Sequence, residues 1–151
     1  MSNFVSKYLL TALQTYVLIL VEGIRMEKEY ISIGNIDRKK YSKLCNYPIT
    51  TTQVIITNKQ IEHIKLKRES IFNKYKGILR DIIIDPDYII KDTKHLDTGL
   101  VIKKYSKNVI LVLKLNTAQD NKKNSIITIW EIKEKRFQRY LSTHEIIYKK
   151  E

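Results

Sequence analysis

At 151 residues, with 43% hydrophobic and 29% charged side chains and only four Gly and two Pro, the chain is long enough for one core and lacks the bias of a disordered sequence. Its 28 Lys and Arg against 16 Asp and Glu leave a net charge of +12, a field that concentrates polyanions by a term blind to nucleotide sequence. The lone Cys45 excludes an internal disulfide, and with His63, His95 and His144 scattered outside any HxxxH or HxH spacing there is no zinc pattern, so catalysis would run on side chains without metal or cofactor in a reducing, cytoplasmic setting.

The first 25 residues stand apart. Tyr8 to Val21 reads YLLTALQTYVLILV, uncharged but shorter than the roughly 20 apolar residues that cross a bilayer. Glu22-Gly23-Ile24-Arg25 follows in place of a small-residue cleavage site, so the segment is an apolar helical extension over 1–25 and the domain occupies 26–151. Within the domain Tyr30 to Ile33 alternates as a short edge strand. Ile49 to Thr57, ITTTQVIIT, is a β-branched run, and Thr57 with Gln60 forms a capping box that starts a helix over about Asn58 to Arg68. Ser70 caps a second helical pattern through Ile71, Tyr75, Ile78, Leu79, Ile82 and Ile83, which Asp85-Pro86-Asp87 stops.

Beyond Pro86 the character changes. YIIK, LVIKKY, VILVLKLN and SIITIWEIK are Ile- and Val-rich runs with short polar connections, the pattern of an antiparallel meander. TAQDNKKN makes a basic turn, Glu134 to Leu141 a last helix, and EIIYKK one more strand. By the two-residue period Ile110, Val112, Lys114 and Asn116 share one strand face. In the next strand Ser125, Ile127, Ile129 and Glu131 share one face and Ile126, Thr128, Trp130 and Ile132 the other. Lys114 on an otherwise apolar face either snorkels to solvent or neutralises a phosphate. His63, one turn before Lys67 and beside Arg68, is either a packing residue or the acid or base of a phosphoryl-transfer site.

The order ITTTQVIIT, IEHIKLKR, IIIDPDYII, VLVLKLN, NSIITIWEI and RFQRYL resembles the phage-borne nuclease domains grouped with barnase, EndoU, the tRNase colicins and RelE, over about Ile33 to Tyr148. The resemblance implies an α+β fold of two N-terminal helices, a four- to five-stranded antiparallel sheet and a C-terminal helix. It further implies metal-independent endoribonuclease activity on tRNA or mRNA by transesterification to a 2′,3′-cyclic phosphate, in a toxin or effector of a phage or mobile element. His63, Lys114, Ser125 and Thr128 match the family's catalytic positions, with Lys67, Arg68 and Asn116 as phosphate-binding residues. One departure matters: the family often carries an Arg-His pair followed by proline, where this chain has Arg68-Glu69-Ser70, leaving Glu69 as the substitute general base.

A toxin implies an immunity protein or antitoxin as partner, beside RNA. The alternative is a non-catalytic RNA- or partner-binding domain of the same fold, stacking bases on Trp130, Tyr105 or Tyr140. A lipid-binding role for residues 1–25 is the least favoured, because the segment is short and has no basic amphipathic face.

Overall fold

The computed structural model describes residues 13–14, 29–117 and 122–151. The extension over 1–25, apart from Leu13 and Gln14, and the centre of the TAQDNKKN turn lie outside the described residues. Strand β1 (Tyr30–Asn35) leads into a short helix α1 (Arg38–Tyr41) and a 3-10 turn (Ser42–Leu44). Then come β2 (Gln53–Thr57), α2 (Asn58–Tyr75), α3 (Leu79–Ile84), β3 (Tyr88–Lys91), β4 (Thr98–Lys104), β5 (Asn108–Lys114), β6 (Asn124–Ile132), α4 (Glu134–Thr143) and β7 (Ile146–Lys149).

The α+β class expected from the sequence holds, but the four- to five-stranded antiparallel sheet does not. The strands form one seven-stranded mixed sheet in the order β1-β2-β6-β5-β4-β3-β7. All neighbours are antiparallel except β2 and β6, which run parallel and pair only through Val54 with Asn124 and Ile55 with Ser125. The parallel step follows from chain order. β2 enters α2 directly, and the chain returns to β2 only after crossing the sheet and running the β3–β6 meander.

The two expected N-terminal helices are one 18-residue run with a break inside it. Thr57 Oγ1 accepts from the Gln60 backbone N–H at 3.0 Å, which satisfies one of the free donors at the start of α2. Arg68, not Ser70, carries the break, with φ −147° and ψ 52°. The later part of the second helical pattern is the separate α3, which ends at Ile84, one residue before Asp85-Pro86.

β4 and β5 are buried on both faces, which explains their near-continuous apolar runs. On one face Val109, Leu111 and Leu113 pack with Ile64, Phe72 and Tyr75 of α2 and with Ile82 and Ile83 of α3. On the other, Ile110 and Val112 pack with Phe137 of α4.

At the narrow parallel junction the fully buried Asn124 joins three segments. Its Oδ1 accepts from the Asn116 backbone N–H at 2.9 Å, and its Nδ2 donates to the Thr51 carbonyl at 2.7 Å. Replacing Asn124 with Ala removes both bonds from a buried position and should lower unfolding free energy by about 2–4 kcal/mol, measured by urea denaturation.

Asp85 closes the opposite end of the sheet, accepting from Lys150 at 2.8 Å and from Lys103 at 2.9 Å. These two ammonium groups, Lys150 foremost, hold its carboxyl down at about 2 against an ordinary 3.8. Stabilisation by this carboxylate is therefore complete above pH 3.8 and lost as pH falls through about 2. Asp85→Asn should melt below wild type at neutral pH, and thermal melts across that acid window should show the gap closing.

Candidate functional site

The site grows from an irregularity in β6. Along the β5–β6 pair, Lys114 stands opposite Ser125 and Leu113 opposite Ile126, but Val112 stands opposite Thr128, so the register shifts by one residue at Ile127. Simple alternation places Ser125 and Thr128 on opposite faces. The bulge corrects that reading: Ser125, Thr128 and Trp130 all lie on the face of Lys114, Val112 and Ile110, while Ile126 and Ile129 both enter the core beneath α2.

Because β2 pairs with only the first residues of β6, α2 packs against β6 beyond them. Lys59, His63 and Lys67 recur every four residues on α2 and so share one side of it. Together with Arg68, and with Ile127 and Thr128 from β6, they line a cavity of about 460 Å³ whose walls carry no carboxylate. At the break in α2 the half-buried Arg68 sends Nη1 to Thr128 Oγ1 at 3.3 Å, and its guanidinium carbon lies 5.7 Å from the centre of the Trp130 ring. A guanidinium held over an indole and bonded to a hydroxyl has its fork fixed in place, with further N–H groups left to meet an anion.

Ile127 and Thr128 are shared with a second cavity of about 800 Å³ on the α4 side of the sheet. Its walls include Lys114, Trp130 and Tyr140, with His95 and His144. Thr128 thus stands between a recess lined by cations alone and one in which aromatic rings lie beside Lys94, Lys114, Asp92 and Asp97.

His63, Lys67, Arg68 and Thr128 are brought to one cavity, and Lys114 reaches Thr128 through the other. Ser125 sits beside Lys114 in the sheet but lines neither cavity. Asn116 is engaged in the neck of the β5–β6 connection, with Nδ2 donating to the Lys122 carbonyl at 2.7 Å. Glu69 is exposed and lines neither cavity. Sequence reasoning treated His95 and His144 as scattered and overlooked the 800 Å³ cavity they line. The four-residue spacing of Tyr140 and His144 at the end of the last helix was the available signal.

Among the described residues no group of three or more His, Cys, Asp or Glu side chains is gathered to hold a metal ion. Nor is any described helix long and apolar enough to cross a membrane.

The model of the family described as "phage-Barnase-EndoU-ColicinE5/D-RelE like nuclease3" (PBECR3) matches residues 31–139. The chain belongs to this family. Its fold is therefore that of a barnase/EndoU/colicin-like nuclease domain, and the α2–β6 cavity falls entirely inside the matched PBECR3 residues. No curated protein and no solved structure matches the chain significantly.

Trp130 is the single tryptophan and lies under Arg68. Filling either cavity with an oligonucleotide should change its fluorescence. In Arg68→Ala the starting emission should differ from wild type and the titration should need more ligand.

Proposed function

We propose that this PBECR3 protein is a metal-independent endoribonuclease that cuts RNA by transesterification, leaving a 2′,3′-cyclic phosphate and a 5′-hydroxyl. The observation that carries this reading is the α2–β6 cavity, where His63 stands among Lys59, Lys67 and Arg68 against Thr128, with no carboxylate in its lining. Cleavage of this kind needs a group to exchange a proton with the reacting oxygens and cations to stabilise the charge that builds on phosphorus. His63 supplies the first. Arg68 and Lys67 supply the second, with Thr128 hydrogen-bonding the same phosphate and Lys114 neutralising it from the other side. Ser125, next to Lys114, adds a hydroxyl to that group.

Three cations without a carboxylate would repel a divalent metal, so the electrostatics favour chemistry by side chains. The neighbouring cavity suits the rest of the substrate. Trp130 and Tyr140 offer faces on which an unpaired base can stack, which favours single-stranded regions of tRNA or mRNA over a duplex. The net charge of +12 supplies the sequence-blind attraction. A phage-borne nuclease with such a site is a danger to its own producer, so we assign it the role of a toxin or effector acting in the cytoplasm and kept in check by an immunity protein or antitoxin.

Purified protein incubated with total RNA in excess EDTA should give discrete fragments ending in 2′,3′-cyclic phosphate, seen on gels and by end-group mapping. His63→Ala should cut at least about a hundredfold more slowly while melting as wild type does. Intact RNA in every class tested, with salt-sensitive binding retained, would overturn the enzymatic reading in favour of an RNA-binding domain. Undiminished cleavage by His63→Ala would remove that residue from the chemistry.

A further inference from the structure

The geometry points to His144 as the second imidazole of the site, the general acid that protonates the leaving 5′-oxygen; this rests on the nuclease reading above. His144 lies beyond residue 139, where the family match ends, and lines the larger cavity together with Lys114 and Thr128.

Three contacts fix it. Its backbone N–H donates to the Tyr140 carbonyl at 3.0 Å, closing the end of α4. Its ring lies 4.9 Å from the ring of Tyr140, centre to centre. Its Nδ1 lies 2.8 Å from Thr143 Oγ1. That hydroxyl has one proton, which it donates to the Arg139 carbonyl at 2.8 Å, so toward the imidazole it acts as acceptor. Nδ1 therefore carries its hydrogen, and Nε2 is the nitrogen left to exchange a proton with a bound group.

The other candidates are less well held. His95 lines the same cavity and has Nδ1 3.1 Å from Asp92 Oδ2, but its side chain is 73% exposed on the β3–β4 connection. Glu69, in the position where the family pattern often has histidine, is exposed and lines neither cavity. The acid missing from α2 is thus supplied from the end of α4, on the far side of Thr128.

The step balances as a concerted exchange. Neutral His63 takes the proton of the 2′-hydroxyl as O2′ forms its bond to phosphorus. The P–O5′ bond breaks, and its electron pair on O5′ takes the proton from Nε2 of protonated His144. The products are the cyclic phosphate and a free 5′-hydroxyl, and both imidazoles reset by exchange with water.

A substrate with sulfur in place of the bridging 5′-oxygen tests this, because a thiolate leaves without being protonated. Wild type, His144→Ala, His63→Ala and His95→Ala would be compared on the oxygen and sulfur substrates, after thermal melts establish that each is folded. His144→Ala should lose about a hundredfold or more on the oxygen substrate and recover near wild-type rate on the sulfur one. His63→Ala should be slow on both, and His95→Ala should show no gain on the sulfur substrate beyond that of wild type. If wild type cleaves but His144→Ala is as fast on oxygen, or equally slow on both, the assignment to His144 is overturned and the nuclease reading stands. Recovery on sulfur by His95→Ala instead would give the acid to His95. A wild type that leaves both substrates intact overturns the nuclease reading and this inference with it.

Discussion

One buried carboxamide sets the arrangement on which the site depends. Asn124 bonds the backbone just before β2 through Thr51 and the backbone just after β5 through Asn116, segments that are far apart in sequence. A buried amide is stable only when both ends are satisfied, so these two bonds fix where β6 begins relative to its two neighbours. The short parallel pairing of β2 with β6 follows from that placement. Once β2 gives way to α2, the helix occupies the side of β6 that a longer strand would have covered, and Arg68 comes within reach of Thr128.

The bulge at Ile127 completes the arrangement. A regular strand would have buried one of the two hydroxyls and shown the other. With one extra residue, both Ser125 and Thr128 join the face of Lys114, and the two adjacent isoleucines go to different environments: Ile126 to the core under α2, Ile127 to the walls of both cavities. The result separates two tasks. Cations without carboxylates are gathered between α2 and β6, whereas between the sheet and α4 flat aromatic surface lies beside both signs of charge, Lys94 and Lys114 with Asp92 and Asp97. A polynucleotide needs both, since its phosphates carry most of the binding energy and its bases carry the choice of where to bind.

Much of this was legible in the chain, and the parts that were not have a common physical character. Local signals held. The Thr57 cap, the stop at Asp85-Pro86 and the Ile- and Val-rich runs of β4 and β5 each depend on a few adjacent residues. His63, Lys67 and Arg68 could be gathered by spacing along one helix. The edge strand at Tyr30 and the last strand at Ile146 were legible too, but what the chain did not show were the choices made between distant segments: which strands β1 and β7 pair with, the parallel pairing of β2 with β6, and the bulge, which no Gly or Pro marks. The sequence ends the first helix at Arg68, where the break is, but Ser70 looks like a cap and sets the next helix two residues on, whereas the helical run resumes directly after Arg68, the residue tied to β6. His144 shows in the chain only through its four-residue spacing from Tyr140, which does not reveal that the cavity beside α4 also contains Lys114.

The site joins Arg68 to Thr128 across 60 residues, through a sheet whose second strand cannot be paired on its inner side until its sixth has been made. Pairings of such long span form late in folding, because the loop they close must be ordered first. During synthesis the helix that carries His63 leaves the ribosome well before the strand that completes its cavity. A growing chain therefore holds the cations of the site without their counterpart, and the cavity is complete only when translation of the domain is nearly over.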